Sequence, residues 1–324
     1  MQISKFRSKL NKTSSFMQEP FFSDIQTFDN YEGYFIPICS NEEKKASYIT
    51  INQNKSHLFC LHETESVGSL LVENLSLKPL LVLNGEIFDG AMQDRVANET
   101  VLIPSKTSVE INVSCVEQGR WSYKTKAFRR GKNMFNYHSK GVKDLHNNSF
   151  KHNQPSGSIQ SNVWSSISDK QRRMGVFSRT GSINDTYEKY EESLQELREE
   201  IIEQDNQIGL LVMIPGKYIG IDLFTNKAIF KHYKERLYSS HLIELLEKVR
   251  NFRNFRNGRR DIRKQIDSFM LELMYSKEVH AKKKLGEEYS IYKRASQVSS
   301  TCLALNEDLI HLTSMKNIEN SHAR

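Results

Sequence analysis

The sequence predicts an α+β fold: a β-rich, sandwich-like N-terminal half, then a half in which helices pack on an antiparallel sheet. Three observations carry this. Short runs of β-branched and aromatic residues, separated by polar turn clusters, recur from Tyr34 to Ser114, the pattern of a sandwich or barrel. Val109-Glu110-Ile111-Asn112-Val113 alternates strictly between apolar and polar side chains, which marks a strand with one wet face. From Ser158 the apolar spacing changes to that of a helix.

The elements follow in order. Residues 1–24 read as a flexible, basic terminus; Ile3, Phe6 and Leu10 have helical spacing, but no apolar secretory segment follows. Residues 25–125 form a β-rich subdomain, with strands expected at Tyr34–Cys39, Ala46–Asn52, His57–Leu61, Ser69–Glu73, Leu80–Leu83, Thr100–Ile103 and Ser108–Ser114. Pro79, Asn84-Gly85 and Pro104 punctuate them as turn residues do. Residues 126–157 read as a basic loop, rich in Lys, Asn and His. Its His138, His146 and His152 match no common zinc spacing.

Residues 158–316 form an α+β subdomain. Val163, Trp164, Ile167 and Met174 share one helical face, and Gly175 stops that helix. Ser182 then caps a helix whose stripe runs Ile183, Tyr187, Tyr190, Leu194, Leu197, Ile201. Ile208–Ile214 and Tyr218–Phe224 flank Pro215-Gly216 as a hairpin. Asn226 caps a helix reaching Asn251, and a further helix is expected over Arg260–Val279. Strands at Glu288–Lys293, Val298–Leu305 and Leu309–Thr313 precede a tail, 317–324.

Composition narrows the class. The chain has 324 residues, 26% charged and 38% hydrophobic, which excludes collagen-like, mucin-like and wholly disordered proteins. A chain of this length buries enough apolar surface to need no disulfides. Cys39, Cys60, Cys115 and Cys302 are scattered without a C-x-x-C pair, as reduced thiols of a cytoplasmic protein are. No apolar run approaches the roughly 18 residues of a membrane span.

The net charge of +7 is uneven. Arg120 to Lys151 holds nine basic residues against one acid, Asp144. Such a stretch attracts phosphate, on a nucleotide or on nucleic acid, or else forms a solvated face paired with the acidic helix Glu188–Asp205. Phosphate-loop, dinucleotide-fingerprint, nucleophile-elbow and zinc-protease motifs are absent from the sequence.

Chemistry concentrates between Leu80 and Tyr123. Glu86, Gln93, Arg95, Glu117, Arg120 and Trp121 all leave the ends of expected strands. Arginine suits bidentate recognition of phosphate or carboxylate, Trp121 can stack on a base, and a glutamate beside apolar residues can exchange protons. The same residues could equally form an Arg–Glu network that closes a sandwich. A second candidate is the connection Ser178, Thr180 and Gly181, which opens onto a helix N-terminus suited to an anion or to plain capping. Asp222, inside the apolar strand Ile219–Phe224, is the supporting candidate, because a buried carboxylate needs a partner.

These segments have a familiar look. Gly85-Glu86, Gly90-Ala91-Met92-Gln93-Asp94-Arg95, Val101–Pro104 and Val113–Trp121, which holds C-V-E-x-G-R-W, are in the order of one domain family. That family is named for its association with ADP-ribosylglycohydrolases and rhodanese-phosphatase superfamily proteins. The segment ending in Thr180-Gly181-Ser182 and the hairpin ending in Asp222-Leu223-Phe224 also resemble it, so the likeness runs from about Val67 to Thr313. Asp94 stands where the family pattern has Asn, and Asn112 where it has Pro. The resemblance implies NAD-derived or ADP-ribose metabolism. On that basis the expected activity is hydrolysis or group transfer on an ADP-ribose-like phosphorylated nucleotide. Glu117 would be the general base, with Glu86 assisting it or holding a divalent metal such as Mg²⁺. Gln93, Arg95, Arg120, Trp121, Ser178, Thr180 and Gly181 would bind the ligand. The rivals are a non-catalytic nucleotide-sensing module and a nucleic-acid-binding protein using residues 120–151.

Overall fold

The computed structural model describes residues 20–28, 31–42, 44–137, 156–251, 262–283, 288–295, 297–305 and 308–318. The expected flexible N-terminus up to residue 19, the loop histidines His138, His146 and His152, residues 252–261 and the tail from residue 319 lie outside them.

The fold is mixed α+β and β-rich. Strands β1 (Phe21–Phe22) and β2 (Gln26–Phe28) lead into β3 (Gly33–Cys39). Then come β4 (Ile49–Thr50), β5 (Phe59–Glu63), β6 (Ser69–Asn74), β7 (Leu80–Val82), β8 (Glu86–Gly90), β9 (Arg95–Ala97), β10 (Val101–Ile103), β11 (Ser108–Cys115) and β12 (Phe128–Met134). Among the described residues, β12-β8-β9-β11-β6-β5 form one sheet and β10-β7-β4 a second. Phe88, Val72 and Ile111 of the first meet Val82, Val101 and Ile103 of the second in one apolar cluster. This is the expected sandwich: β6 alternates buried and half-buried residues, whereas β7, β9 and β10 are buried at every position.

β1 and β2, β8, β9 and β12, and a later strand at Lys277–Lys283 were not legible in the sequence, and β1 corrects the end of the expected flexible terminus. β8 and β9 carry Glu86, Asp89 and Arg95 among few apolar residues, and β12 reads Phe-Arg-Arg-Gly-Lys-Asn-Met. β12 corrects the expected loop over 126–157, because Phe128–Arg130 pair with Phe88–Gly90 in regular antiparallel register.

Helices α1 (Ser156–Met174), α2 (Ile183–Lys189) and α3 (Glu191–Glu199) follow, then β13 (Gln207–Ile214), β14 (Tyr218–Phe224) and α4 (Lys227–Asn251). The expected single acidic helix is broken at Tyr190, whose backbone (φ −109°, ψ 14°) leaves helical geometry. Its stripe is nevertheless buried at Ile183, Tyr187, Leu194, Leu197 and Ile201. The hairpin turn is type II: Lys217 N–H donates to Ile214 C=O at 2.9 Å, with Pro215 first and Gly216 at φ +80° second. Asn226 caps α4, its Oδ1 accepting from Ile229 N–H at 3.0 Å.

Helix α5 (Ile262–Met274) is shorter than expected, and β15 (Lys277–Lys283) replaces its last residues. Ser276 closes the helix by donating to Leu273 C=O, and β15 then pairs with β16 (Glu288–Ala295). β17 (Val298–Leu305) and β18 (Asp308–Asn317) complete a sheet ordered β1-β3-β13-β14-β18-β17-β16-β15, with β2 also on β3.

Contacts run across the boundary expected between the halves. β3, from the N-terminal half, pairs along β13 of the C-terminal half. One core cluster joins Phe35, Leu81, Ile87 and Val96 to Tyr187, Leu210 and Tyr233. Helix α4 runs through it and is buried on nearly every side, so it shows no single apolar stripe. It carries Tyr233 and Arg236 toward β8 while packing on β13.

Candidate functional site

The two segments singled out in the sequence meet. The loop after β11, residues 116–127, and the connection from α1 to α2, residues 175–182, are joined by Gly119 N–H to Thr180 C=O at 2.6 Å and Ile183 N–H to Val116 C=O at 3.0 Å. The β11 strand drives one loop outward, and capping of α2 fixes the other. Ser182 Oγ accepts from Asn184 N–H, and Ser178 Oγ accepts from Ser182 N–H at 3.0 Å. Ser178 and Ser182 thus serve the cap and the loop.

Beneath this seam lies a carboxylate cluster. Glu117 Oε1 accepts from Thr180 Oγ1 at 2.9 Å, and Glu117 Oε2 accepts from Arg120 Nε at 2.7 Å. Arg120 Nη2 also reaches Asp94 Oδ1 at 3.1 Å, where Gly90 N–H donates at 2.8 Å. Asn184 Nδ2 bridges Asp89 Oδ1 at 3.0 Å and Asp94 Oδ2 at 3.1 Å, while Asn133 Nδ2 donates to Asn184 Oδ1 at 3.1 Å. Asp94 and Glu117 are buried; Asp89 is half-buried and is the more open of the three.

The electrostatics follow from crowding. Burial first, and then the negative charge of Asp94, raise the Asp89 carboxyl above the ordinary range. Asp94 is raised too, by burial and by Glu117, against the pull of Gly90 N–H, Lys124 and Arg120. Two carboxyls that hold protons unusually well thus flank the one amide of Asn184.

The expected site residues divide. Gln93, Arg95, Glu117, Arg120, Thr180 and Gly181 come together. Gln93 Nε2 donates to Gln118 C=O at 3.2 Å, and Arg95 Nη1 donates to Gln93 Oε1 at 3.1 Å. Arg95 also contacts Cys115 Sγ and lies 3.6 Å from Glu63, so its guanidinium is buried in the β9–β11 layer. Gly181 sits against Gln118. Trp121 is 59% exposed, as are Tyr123 at 66% and Phe177 at 88%, so both loops of the seam present open aromatic faces.

Two expected residues lie elsewhere. Glu86 opens β8 and Asp89 lies three residues along it, which separates Glu86 from that member of the cluster by about 10 Å of strand. Fully buried, Glu86 accepts from Arg236 Nη2 at 3.0 Å, Leu83 N–H at 3.1 Å and Tyr233 Oη at 3.4 Å. Asp222, on the β13–β14 hairpin, stands 3.5 Å from both His241 Nε2 and His311 Nε2, the partners a buried carboxylate requires. Asp89, Asn133 and Asn184 were missed. The signal for Asp89 was its place four residues before Gln93 in the same excursion; nothing local marked the asparagines.

A divalent metal such as Mg²⁺ would have Asp89, Asp94 and Glu117 for oxygen ligands. Among the described residues these carboxylates are not drawn within 4.8 Å of one another, and Asn184 and Arg120 bridge them instead. Of the basic residues from 120 to 137, Arg120 is engaged here, Arg130 is half-buried, exposed Lys132 pairs with Glu191 at 2.9 Å, and Lys124, Lys126 and Arg129 are exposed; residues 138–151 lie outside the description. No helix among the described residues is long and apolar enough to cross a membrane.

An α+β scaffold whose two loops close over a carboxylate–arginine cluster is the class of protein this geometry defines. The chain belongs to the ARG and Rhodanese-Phosphatase-superfamily-associated Protein domain family, whose model matches residues 25–315. No curated protein and no solved structure matches the chain.

Proposed function

We propose that this protein is an enzyme of nucleotide metabolism that hydrolyses, or transfers a group from, an ADP-ribose-like phosphorylated nucleotide at the loop seam. The observation that carries the reading is the Asp89–Asn184–Asp94 bridge: two carboxyls raised by burial and by a neighbouring carboxylate, Asp94 for Asp89 and Glu117 for Asp94, beside loops with exposed aromatic rings. Asp89 is the acid–base group, because it is the cluster's most accessible carboxyl and its protonated form can donate to a leaving oxygen or nitrogen. Glu117, first expected to be the base, has both oxygens taken by Thr180 and Arg120; its role is to hold Arg120 and the second loop in position. Trp121, Tyr123 and Phe177 offer faces for a base, and exposed Lys124 and Arg179 offer charge for phosphate. Glu86 is given no part in the chemistry, since Arg236, Leu83 N–H and Tyr233 occupy its buried carboxylate.

Calorimetric titration of the purified chain with ADP-ribose, with and without Mg²⁺, followed by chromatography of the mixture, tests this. Binding with a new product that Asp89→Asn no longer forms supports it. Binding without product makes the protein a sensor module, and absence of binding overturns the reading.

A further inference from the structure

A different part of the molecule groups three unlike metal-ligating side chains. Cys60 and His62 are two residues apart on β5, so they project from the same face of the strand. Glu73 on β6 is the cross-strand partner of Cys60. The Cys60 thiol, a His62 ring nitrogen and a Glu73 carboxylate oxygen all lie within 4.8 Å of one another. His62 Nε2 is 3.5 Å from Glu73 Oε2. That is the spacing of two ligands on a tetrahedral zinc, roughly 3.3–3.7 Å for bonds of roughly 2.0–2.3 Å.

The surroundings favour an occupant. β5 is an edge strand, as is β12 at the other end of the same sheet. Between them runs a groove of about 380 Å³, lined among others by Ser56, Phe59, Cys60, His62, Arg129 and Arg130. Cys60 is a free, half-buried thiol, whereas Cys39, Cys115 and Cys302 are buried. The side chain of His62 is 49% exposed, so a fourth coordination position is open to solvent.

We infer that Cys60, His62 and Glu73 form a binding site for a divalent metal of the zinc class. The donor set decides the class: one thiolate, one imidazole and one carboxylate suit Zn²⁺ or Co²⁺, whereas Mg²⁺ and Ca²⁺ prefer oxygen alone. Binding requires the Cys60 thiol to give its proton to solvent. The two negative ligands then balance the metal's charge, which lets the site form beside Arg129 and Arg130. The fourth position takes water or an anion that enters the groove. This inference is independent of the reading of the loop seam.

Titration of the full-length chain with Co²⁺ tests it directly. The expected result is one equivalent of cobalt, with a near-ultraviolet thiolate-to-metal band and visible bands of tetrahedral intensity, both displaced by Zn²⁺. Cys60→Ser abolishes the thiolate band. His62→Ala and Glu73→Gln each weaken affinity by more than about tenfold, since even loss of a residue that only supports a ligand costs about that much. All three side chains are at least partly exposed, and circular dichroism confirms that the variants fold. A wild-type chain that gives no thiolate band, or a band that survives in Cys60→Ser, overturns the inference. So does saturation only at millimolar metal.

Discussion

The amide of Gly119 donates to the carbonyl of Thr180 across 2.6 Å, stitching together loops that are 61 positions apart in the chain. A Cβ on Gly119 would meet Thr180 Cα at 3.1 Å and its carbonyl oxygen at 3.2 Å, and both belong to backbone that cannot rotate aside. The seam therefore depends on glycine for closeness of approach. Through Thr180 Oγ1 and Glu117 it also sets the position of Arg120.

Gly119→Ala is expected to open this seam by a few tenths of an ångström at a cost of about 1 kcal/mol, at the low end for overpacking. Because the displaced Thr180 holds Glu117, turnover on ADP-ribose should fall while the fold persists. Denaturant unfolding together with a turnover assay checks this. An alanine variant as stable and as active as wild type would show that the approach has no consequence.

Asp89→Asn should separate stability from activity. The substitution keeps the Oδ1 that accepts from Asn184 but removes the charge that Asp94 repels. A carboxyl raised in the folded state destabilises that state once the pH exceeds its unfolded value, and protonation on acidification relieves the cost. Near neutral pH the variant should melt higher than wild type, an advantage that shrinks as the pH falls, and it should lose turnover. Functional groups often exact such a cost in stability. A lower melting temperature at neutral pH would contradict the argument.

Glu86 belongs to the opposite case. It is fully buried against Arg236, and burial and the nearby Arg236 charge already lower the Arg130 guanidinium below its ordinary value. Glu86→Ala would leave two guanidiniums with their shared carboxylate gone. The expected loss is about 3–5 kcal/mol, typical of a buried ion pair with one partner removed. A urea midpoint close to that of wild type would show that Arg236 finds another anion.

How much could be read from the sequence follows from the range of each interaction. The β13–β14 hairpin, the Ser182 and Asn226 caps and the β11 alternation depend on neighbours a few residues away, and they appear where expected. β12 was hidden because Arg130 and Lys132 occupy a strand that has few apolar residues of its own. Asp89 is joined to Asp94 through Asn184, 95 residues later, and owes its raised carboxyl to burial and to the Asp94 charge, neither visible locally. Glu86 and Glu117 looked alike on paper, each within two residues of a glycine at a strand end. What distinguishes them is that one faces helix α4 and the other the loop seam. The Cys60–His62–Glu73 grouping needed the β5–β6 register before its members could be seen as neighbours.

Acid should find the weakest point of the fold at Glu247. Lys170 Nζ bonds Glu244 Oε1 at 2.5 Å and Glu247 Oε2 at 2.7 Å, and Lys217 Nζ bonds Glu244 Oε2 at 2.8 Å and Glu247 Oε2 at 2.7 Å. Arg173 also contacts Glu247. This buried network clamps α1 and the hairpin turn to α4. Burial alone would raise the Glu247 carboxyl, but the Lys170 and Lys217 charges prevail and hold it well below the ordinary carboxylate value of 4.5. A depressed carboxylate contributes stability that is complete above its unfolded value and is lost as pH falls toward the folded one. Unfolding free energy should therefore decline steadily below about pH 4.5, and Glu247→Gln should flatten that decline. The same variant should cost about 3–5 kcal/mol at neutral pH, because Lys170 stays buried with one fewer counter-charge. Urea titrations of both proteins across pH 3 to 7 measure the two slopes. Equal slopes would assign the acid sensitivity to other carboxylates.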